Sequence, residues 1–106
     1  MRRIVIDRPG GYEALRLVEL PDAEPGQPGA SPAAGEVEVE VEAIGVNYAD
    51  VIVRMGLYAS ARELHGYPIT PGFEAAGRVT AIGAGVTGLA PGHRVIVLTL
   101  FGAYAS

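Results

Sequence analysis
The run Gly83-Ala84-Gly85-Val86-Thr87-Gly88 fits the spacing G-x-G-x-x-G, which in dinucleotide-binding folds lets a backbone turn approach a pyrophosphate. That chemistry needs a helix opening at the glycines, so that its free N-terminal amides meet the phosphates. Here Pro91 and Gly92 follow almost at once, and no Asp or Glu occurs after Glu74 to take the ribose hydroxyls about 20 residues further on. The run is therefore read as a turn.

Metal chemistry has little to build on. Tetrahedral zinc takes thiolates and imidazoles, and this chain has no cysteine and only two histidines, His65 and His93, set far apart. Each imidazole is read as structural, His93 as a turn residue at the mouth of a strand. The glutamates of Glu36-Val37-Glu38-Val39-Glu40-Val41-Glu42 could attract a cation. On a straight strand, however, carboxylates diverge, whereas calcium needs six or more oxygens converging at about 2.3–2.6 Å. Strict alternation with valine marks a half-buried strand with a solvated acidic face. Ser31, Ser60 and Ser106 lie in loops or at the chain end, without the strand-to-helix elbow of a nucleophile.

The elements that must position any site are short. Fifteen glycines and eight prolines in 106 residues leave room for β-branched runs but not for long helices. Strands are predicted at Arg2–Asp7, Ala14–Leu20, Glu36–Val46, Ala75–Gly83 and Arg94–Leu100. The proline-punctuated segment Pro21–Gly35 reads as a surface loop within one domain. One helix is predicted over Asn47–Gly56, because Asn47 can cap it, Asp50 puts an acid in its first turn and Gly56 can end it. Val51, Ile52 and Met55 are its expected buried residues.

With 49% hydrophobic and 19% charged residues, the chain has the apolar surface for one modest core. A net charge of −4 argues against a phosphate backbone as partner, so no nucleic acid is expected. Between Arg3 and Asp7 the apolar run is too short for a signal peptide or a membrane span. The lack of cysteine suits a reducing compartment, and a cytoplasmic location is expected.

Three stretches occur in order: Gly45-Val46-Asn47-Tyr48-Ala49-Asp50, continuing through Arg54 to Gly56-Leu57-Tyr58; Pro71-Gly72-Phe73-Glu74-Ala75-Ala76-Gly77; and Gly83-Ala84-Gly85-Val86, leading to Pro91-Gly92-His93-Arg94-Val95. They resemble the patterns N-[FY]-x-D-x-x-x-R-x-G-x-Y, P-G-x-E-x-x-G, and G-x-G-V followed by G-D-R-V. These belong to the N-terminal GroES-like domain of zinc-independent, zeta-crystallin-type quinone oxidoreductases in the medium-chain dehydrogenase/reductase superfamily. The resemblance covers nearly the whole chain. It implies a mainly β fold, a GroES-like, partly open barrel with one or two short helices. The zinc alcohol dehydrogenases of that superfamily place Cys where Asn47 stands and His where Phe73 stands, so the resemblance is to the zinc-free branch. Without a Lewis acid, alcohol oxidation loses its polarising centre. Hydride reduction of an enone or quinone survives, since its delocalised charge can be stabilised by a few hydrogen-bond donors.

The resemblance implies that Asn47 and Tyr48 bind the cofactor beside the nicotinamide ribose and ring, that Tyr58 borders the substrate pocket, and that Asn47 and Tyr58 are the catalytic residues. Asp50 would cap the helix and orient its neighbours, Arg54 would neutralise a nearby acid, and Glu74 would remain a structural charge near the cleft. Ile52 stands where relatives often carry a second pocket tyrosine, His93 replaces the Asp of G-D-R-V, and Ala59–Tyr67 departs from the usual proline-rich loop. The identity of the acceptor is therefore not carried over.

Relatives continue into a Rossmann domain that holds NADPH, whereas this chain reaches Ser106 still within the first domain. Residues 1–106 are expected to be a truncated GroES-like domain, inactive alone, with NADPH bound mainly by a domain in cis or on a partner chain. No metal, a small quinone or enone acceptor, and a homo-oligomer in the full-length form complete the expectation. Two other readings stand beside it: a non-enzymatic interaction module on the same fold, and the enoyl-reductase part of a polyketide or fatty-acid synthase. Elemental analysis of the dialysed chain is expected to return no stoichiometric zinc; one zinc per chain would overturn the zinc-free assignment.

Overall fold
The computed structural model describes residues 1–21 and 32–106, so most of the predicted loop Pro21–Gly35 lies outside the described residues. The architecture is mainly β. Strand β1 (Arg2–Ile6) pairs antiparallel with β2 (Leu15–Glu19), Ile4 opposite Leu17. Strands β3 (Val37–Ile44), β4 (Glu74–Ile82) and β5 (Arg94–Leu98) form a second antiparallel sheet in that order. The two sheets do not close into a barrel. Each strand lies within a residue or two of its predicted place, because alternation and turn residues specify strands locally.

The acidic strand behaves as its alternation dictates. Val37, Val39 and Val41 are half-buried, while Glu38, Glu40 and Glu42 face solvent. Neighbouring strands balance the charge: Glu42 lies 3.7 Å from Arg78 and 3.6 Å from Arg94, and Thr80 donates to the Glu38 carboxylate at 2.6 Å. Exposed pairs of this kind add little stability, but they keep like charges from facing one another across the sheet. Shifts of register at Glu38/Val39 and Val41/Ala43 bend β3 as bulges do.

Helix α1 (Tyr48–Met55) starts after Asn47 and ends at Gly56, whose φ of 78° is left-handed. Its boundaries match expectation; its buried face does not. Asp50, Val53 and Arg54 are buried, Val51 and Ile52 are only half-buried, and Met55 is exposed. Apolar spacing pointed to a different side of the helix. The observed side is stable because Val53 enters the core with Ile6, Ala61 and Ile69, while the two charged residues find partners inside.

Two helical segments escaped the sequence patterns: a single 3₁₀ turn at Tyr12–Ala14 and a wide turn at Ala61–His65. The second brings Ala61 into the core and leads to Tyr67, whose hydroxyl donates to the Val53 carbonyl. Burial pushes the Tyr67 phenol up, which keeps it a donor. Ile6 and Ile69 exchange backbone hydrogen bonds at 2.8 and 2.9 Å, tying β1 to the segment that precedes β4.

Gly77 sits buried on β4 opposite Val41, where a Cβ would stand 2.1 Å from the Glu40 carbonyl oxygen. That neighbour is backbone and cannot swing aside. Gly77→Ala is expected to cost about 1–3 kcal/mol in urea unfolding. An unchanged midpoint would show that the bulged pairing yields.

Candidate functional site
The N-terminal end of α1 is organised by a carboxylate. Asp50 is 5% exposed. Its Oδ2 accepts the backbone N–H of Asn47 at 2.8 Å and the hydroxyl of Tyr104 at 2.8 Å. Its Oδ1 is buried with no hydrogen-bond partner. Burying a carboxylate is costly, and the two donors together with the positive end of α1 offset part of that cost. Burial, and then the bond to Asp50, push the Tyr104 phenol far above its usual range, so it stays protonated. The Tyr104 ring lies over Gly72, where a Cβ would come within 2.5 Å of it.

Asn47 and Tyr48 are exposed, Tyr48 by 78%. At the other end of α1, Tyr58 is half-buried in an aromatic wall. Its ring meets Phe73 edge-on at 5.6 Å and Phe101 at 6.2 Å; Phe73 and Phe101 are 5.6 Å apart, and His65 adds an edge contact to Phe101 at 5.5 Å. The segment leading into α1 is tied to the start of β4, next to Phe73: Gly45 donates to the Glu74 carbonyl at 3.2 Å, and the Glu74 side chain covers Gly45 so closely that a Cβ there would meet it at 1.9 Å. The expected catalytic pair Asn47 and Tyr58 thus stands at opposite ends of a helix about 12 Å long.

Other candidates have local duties. Gly83 has the Ala33 carbonyl 1.8 Å from where its Cβ would be, Gly35 donates to the Ala84 carbonyl at 2.8 Å, and Gly85 and Gly88 take φ values of 80° and 82°. These glycines make a turn packed against its own chain. His65 donates from Nδ1 to the Gly66 carbonyl at 2.7 Å, and His93 accepts the Ala90 N–H at 3.2 Å. Arg54 donates to the Gly10 carbonyl at 3.0 Å and lies 4.7 Å over the Tyr12 ring. The acid within reach of its charge is Glu13, whose carboxyl is held low chiefly by backbone N–H bonds.

A depression of about 520 Å³ opens among Arg3, His65, Ile69, Thr99 and Phe101, and another of about 290 Å³ among Arg3, Leu17, Val41, Tyr104 and Ser106. Neither is lined by Asn47, Tyr48 or Tyr58. The important residue that sequence patterns missed is Tyr104. Its signal is faint: one large ring between Ala103 and Ala105, which needs a cradle elsewhere.

Residues 33–105 match the alcohol dehydrogenase GroES-like domain family. The chain belongs to that family. This GroES-like domain is 38% identical over 102 residues to the human synaptic vesicle membrane protein VAT-1 homolog, covering 96% of the chain and 24% of that protein. To quinone oxidoreductase 1 of Escherichia coli K12 it is 38% identical over 105 residues, covering 98% of the chain and 29% of the relative. To the erythronolide synthase EryA2 of Saccharopolyspora erythraea it is 41% identical over 89 residues, covering 84% and 2%. The crystal structure of Escherichia coli quinone oxidoreductase complexed with NADPH superposes with a TM-score of 0.82 at 37% identity, covering 100% of the chain and 29% of that structure. The domain therefore spans a small part of the relatives it matches. These similarities agree with the medium-chain dehydrogenase/reductase superfamily. Among the described residues no helix is long and apolar enough to cross a membrane.

The raised pKa of Tyr104, and to a lesser extent that of Tyr67, links stability to alkaline pH. Each folded-state pKa exceeds the unfolded value, so the contribution is complete below about pH 10 and is lost as pH rises beyond it. Chemical unfolding at a series of pH values from neutral upward should show stability falling above about pH 10. The fall should be shallower in Tyr104→Phe; equal slopes would show that Tyr104 is not the linked group.

Proposed function
We propose that this domain forms the acceptor side of the cleft in an NADPH-dependent, zinc-independent quinone or enone reductase. The carrying observation is the aromatic wall: Phe73, which has no lone pair to give a metal, packs edge-on against Tyr58 and near Phe101. A half-buried aromatic surface suits a flat conjugated acceptor. Similarity to a quinone oxidoreductase complexed with NADPH supports the choice of cofactor.

Asn47 and Tyr48 fit the nicotinamide end of that cofactor, since an exposed amide can donate and accept while the exposed phenol offers a ring face. The phosphates have no seat in the Gly83 to Gly88 turn, so NADPH is held mainly by a nucleotide-binding domain in cis or on a partner chain. The bound cofactor supplies a hydride. Asn47 orients the ring, and the Tyr58 hydroxyl donates to the acceptor oxygen on which negative charge gathers. One oriented donor of this kind is worth about 3 kcal/mol. The reading extends to a full-length reductase that works in the cytoplasm as a homo-oligomer. Similarity to the erythronolide synthase supports a second reading, enoyl reduction within a polyketide synthase.

The test grafts this domain onto Escherichia coli quinone oxidoreductase in place of its own equivalent and measures NADPH oxidation with a benzoquinone and with a crotonyl thioester. Quinone turnover is expected, and reduction of the thioester alone would favour the enoyl-reductase reading. Asn47→Asp keeps a good helix cap but loses the amide donor, so it should melt near the parent while turnover falls about tenfold or more. Tyr58→Phe should behave alike. Full turnover in both variants would leave these positions structural, and a graft inert toward both acceptors would favour an interaction module.

A further inference from the structure
We propose that Tyr104 is a positioning residue for Asn47, acting through Asp50. The geometry at the carboxylate makes the case. Both hydrogen bonds that orient Asp50 end on one atom, Oδ2, and the second oxygen has no partner to hold the group from its other side. The Asn47 N–H belongs to the entry of α1 and moves with it. Tyr104 comes from 54 residues away in the chain. Among the described residues it is the one donor to Asp50 from outside the helix and its cap.

Tyr104 is itself well anchored. Its N–H donates to the Pro71 carbonyl at 3.0 Å, its carbonyl accepts the Ile4 N–H at 3.0 Å, and its ring rests on Gly72. A phenol held at three points can hold a carboxylate in one orientation, and that carboxylate fixes the extended backbone of Asn47. No proton changes hands. The phenol stays the donor, as its raised pKa requires. If Asn47 meets the cofactor as proposed above, Tyr104 sets the angle at which it does so, from the far end of a two-bond relay.

Amide hydrogen exchange and ¹⁵N spectra of the 106-residue chain test the relay without any turnover assay. In Tyr104→Phe, which keeps the ring over Gly72, the Asn47 amide should shift and exchange about tenfold faster or more. The Val53 and Ile69 amides in the core should keep their protection. An unchanged Asn47 amide overturns the proposal, and so does a parallel loss at all three sites, which would mark Tyr104 as a general stabiliser. Asp50→Ala supplies the second variant, because it removes the oxygen on which both bonds end. It should free the Asn47 amide at least as much as Tyr104→Phe does, and the double variant should lose no more than Asp50→Ala alone. Additive losses would mean the two side chains act separately, against the relay. The proposal draws its functional meaning from the role given to Asn47, but the two fail differently. Full turnover of Asn47→Asp in the graft overturns that role, while exchange in the isolated chain decides the relay.

Discussion
A carboxylate removed from water sets the terms for the rest of this domain. Asp50 is buried at the start of α1, where charge is tolerated only if donors converge on it. One donor is the backbone of Asn47 and the other is the Tyr104 phenol, so the buried charge joins α1 to the end of the chain. Tyr104 in turn rests on the Pro71-Gly72 segment, with Gly72 beneath its ring. The glycine, the tyrosine and the aspartate are one device distributed over three segments. Apolar packing around Ile6, Val53 and Ile69 supplies cohesion, but it has no directional preference that would fix how α1 is turned about its axis.

That distinction explains what was legible in the sequence. The β3 strand is written in Glu-Val alternation, and the limits of α1 in Asn47 and Gly56, because these signals act between residues close in the chain. The family was legible too, through three stretches whose glycines, Asp50 and Phe73 the structure places at contacts. The buried face of α1 was not. Val51, Ile52 and Met55 are the apolar candidates, yet the helix turns Asp50 and Arg54 inward, since Tyr104 and Gly10 wait there with hydrogen-bonding groups. Long-range polar partners override local hydrophobicity when they satisfy a charge that would otherwise be stranded.

The candidate site divides in the same way. Asn47 and Tyr48 could be chosen as site residues only through a family resemblance, as nothing in their spacing distinguishes a cleft residue from a cap. Tyr104 carried no motif, and its importance appears only when the tail folds back over Gly72. The wide turn Ala61–His65 was equally hidden, being short, exposed at Arg62 through His65 with no apolar periodicity, and defined by the burial of one small residue, Ala61. By contrast the Gly83 to Gly88 run advertises a function in sequence, and its glycines are accounted for by a tight turn against Ala33 and Gly35.

The fold also separates what needs rigidity from what needs access. Tyr58 is locked into a wall of rings, and Asn47 is tethered by Asp50, but the Tyr48 ring stands in water, where it contributes nothing to the core. Between the wall and the tether runs α1, two turns of hydrogen-bonded backbone that act as a spacer of fixed length. A hinge there would let the two ends drift; a helix anchored at its first turn by Asp50 and packed through Val53 does not. The separation between Asn47 and Tyr58 is therefore set largely by the helix between them. Any lengthening of α1 by one residue would rotate Tyr58 by about 100° relative to Asn47, taking it off Phe73 before the spacing had changed by more than about 1.5 Å.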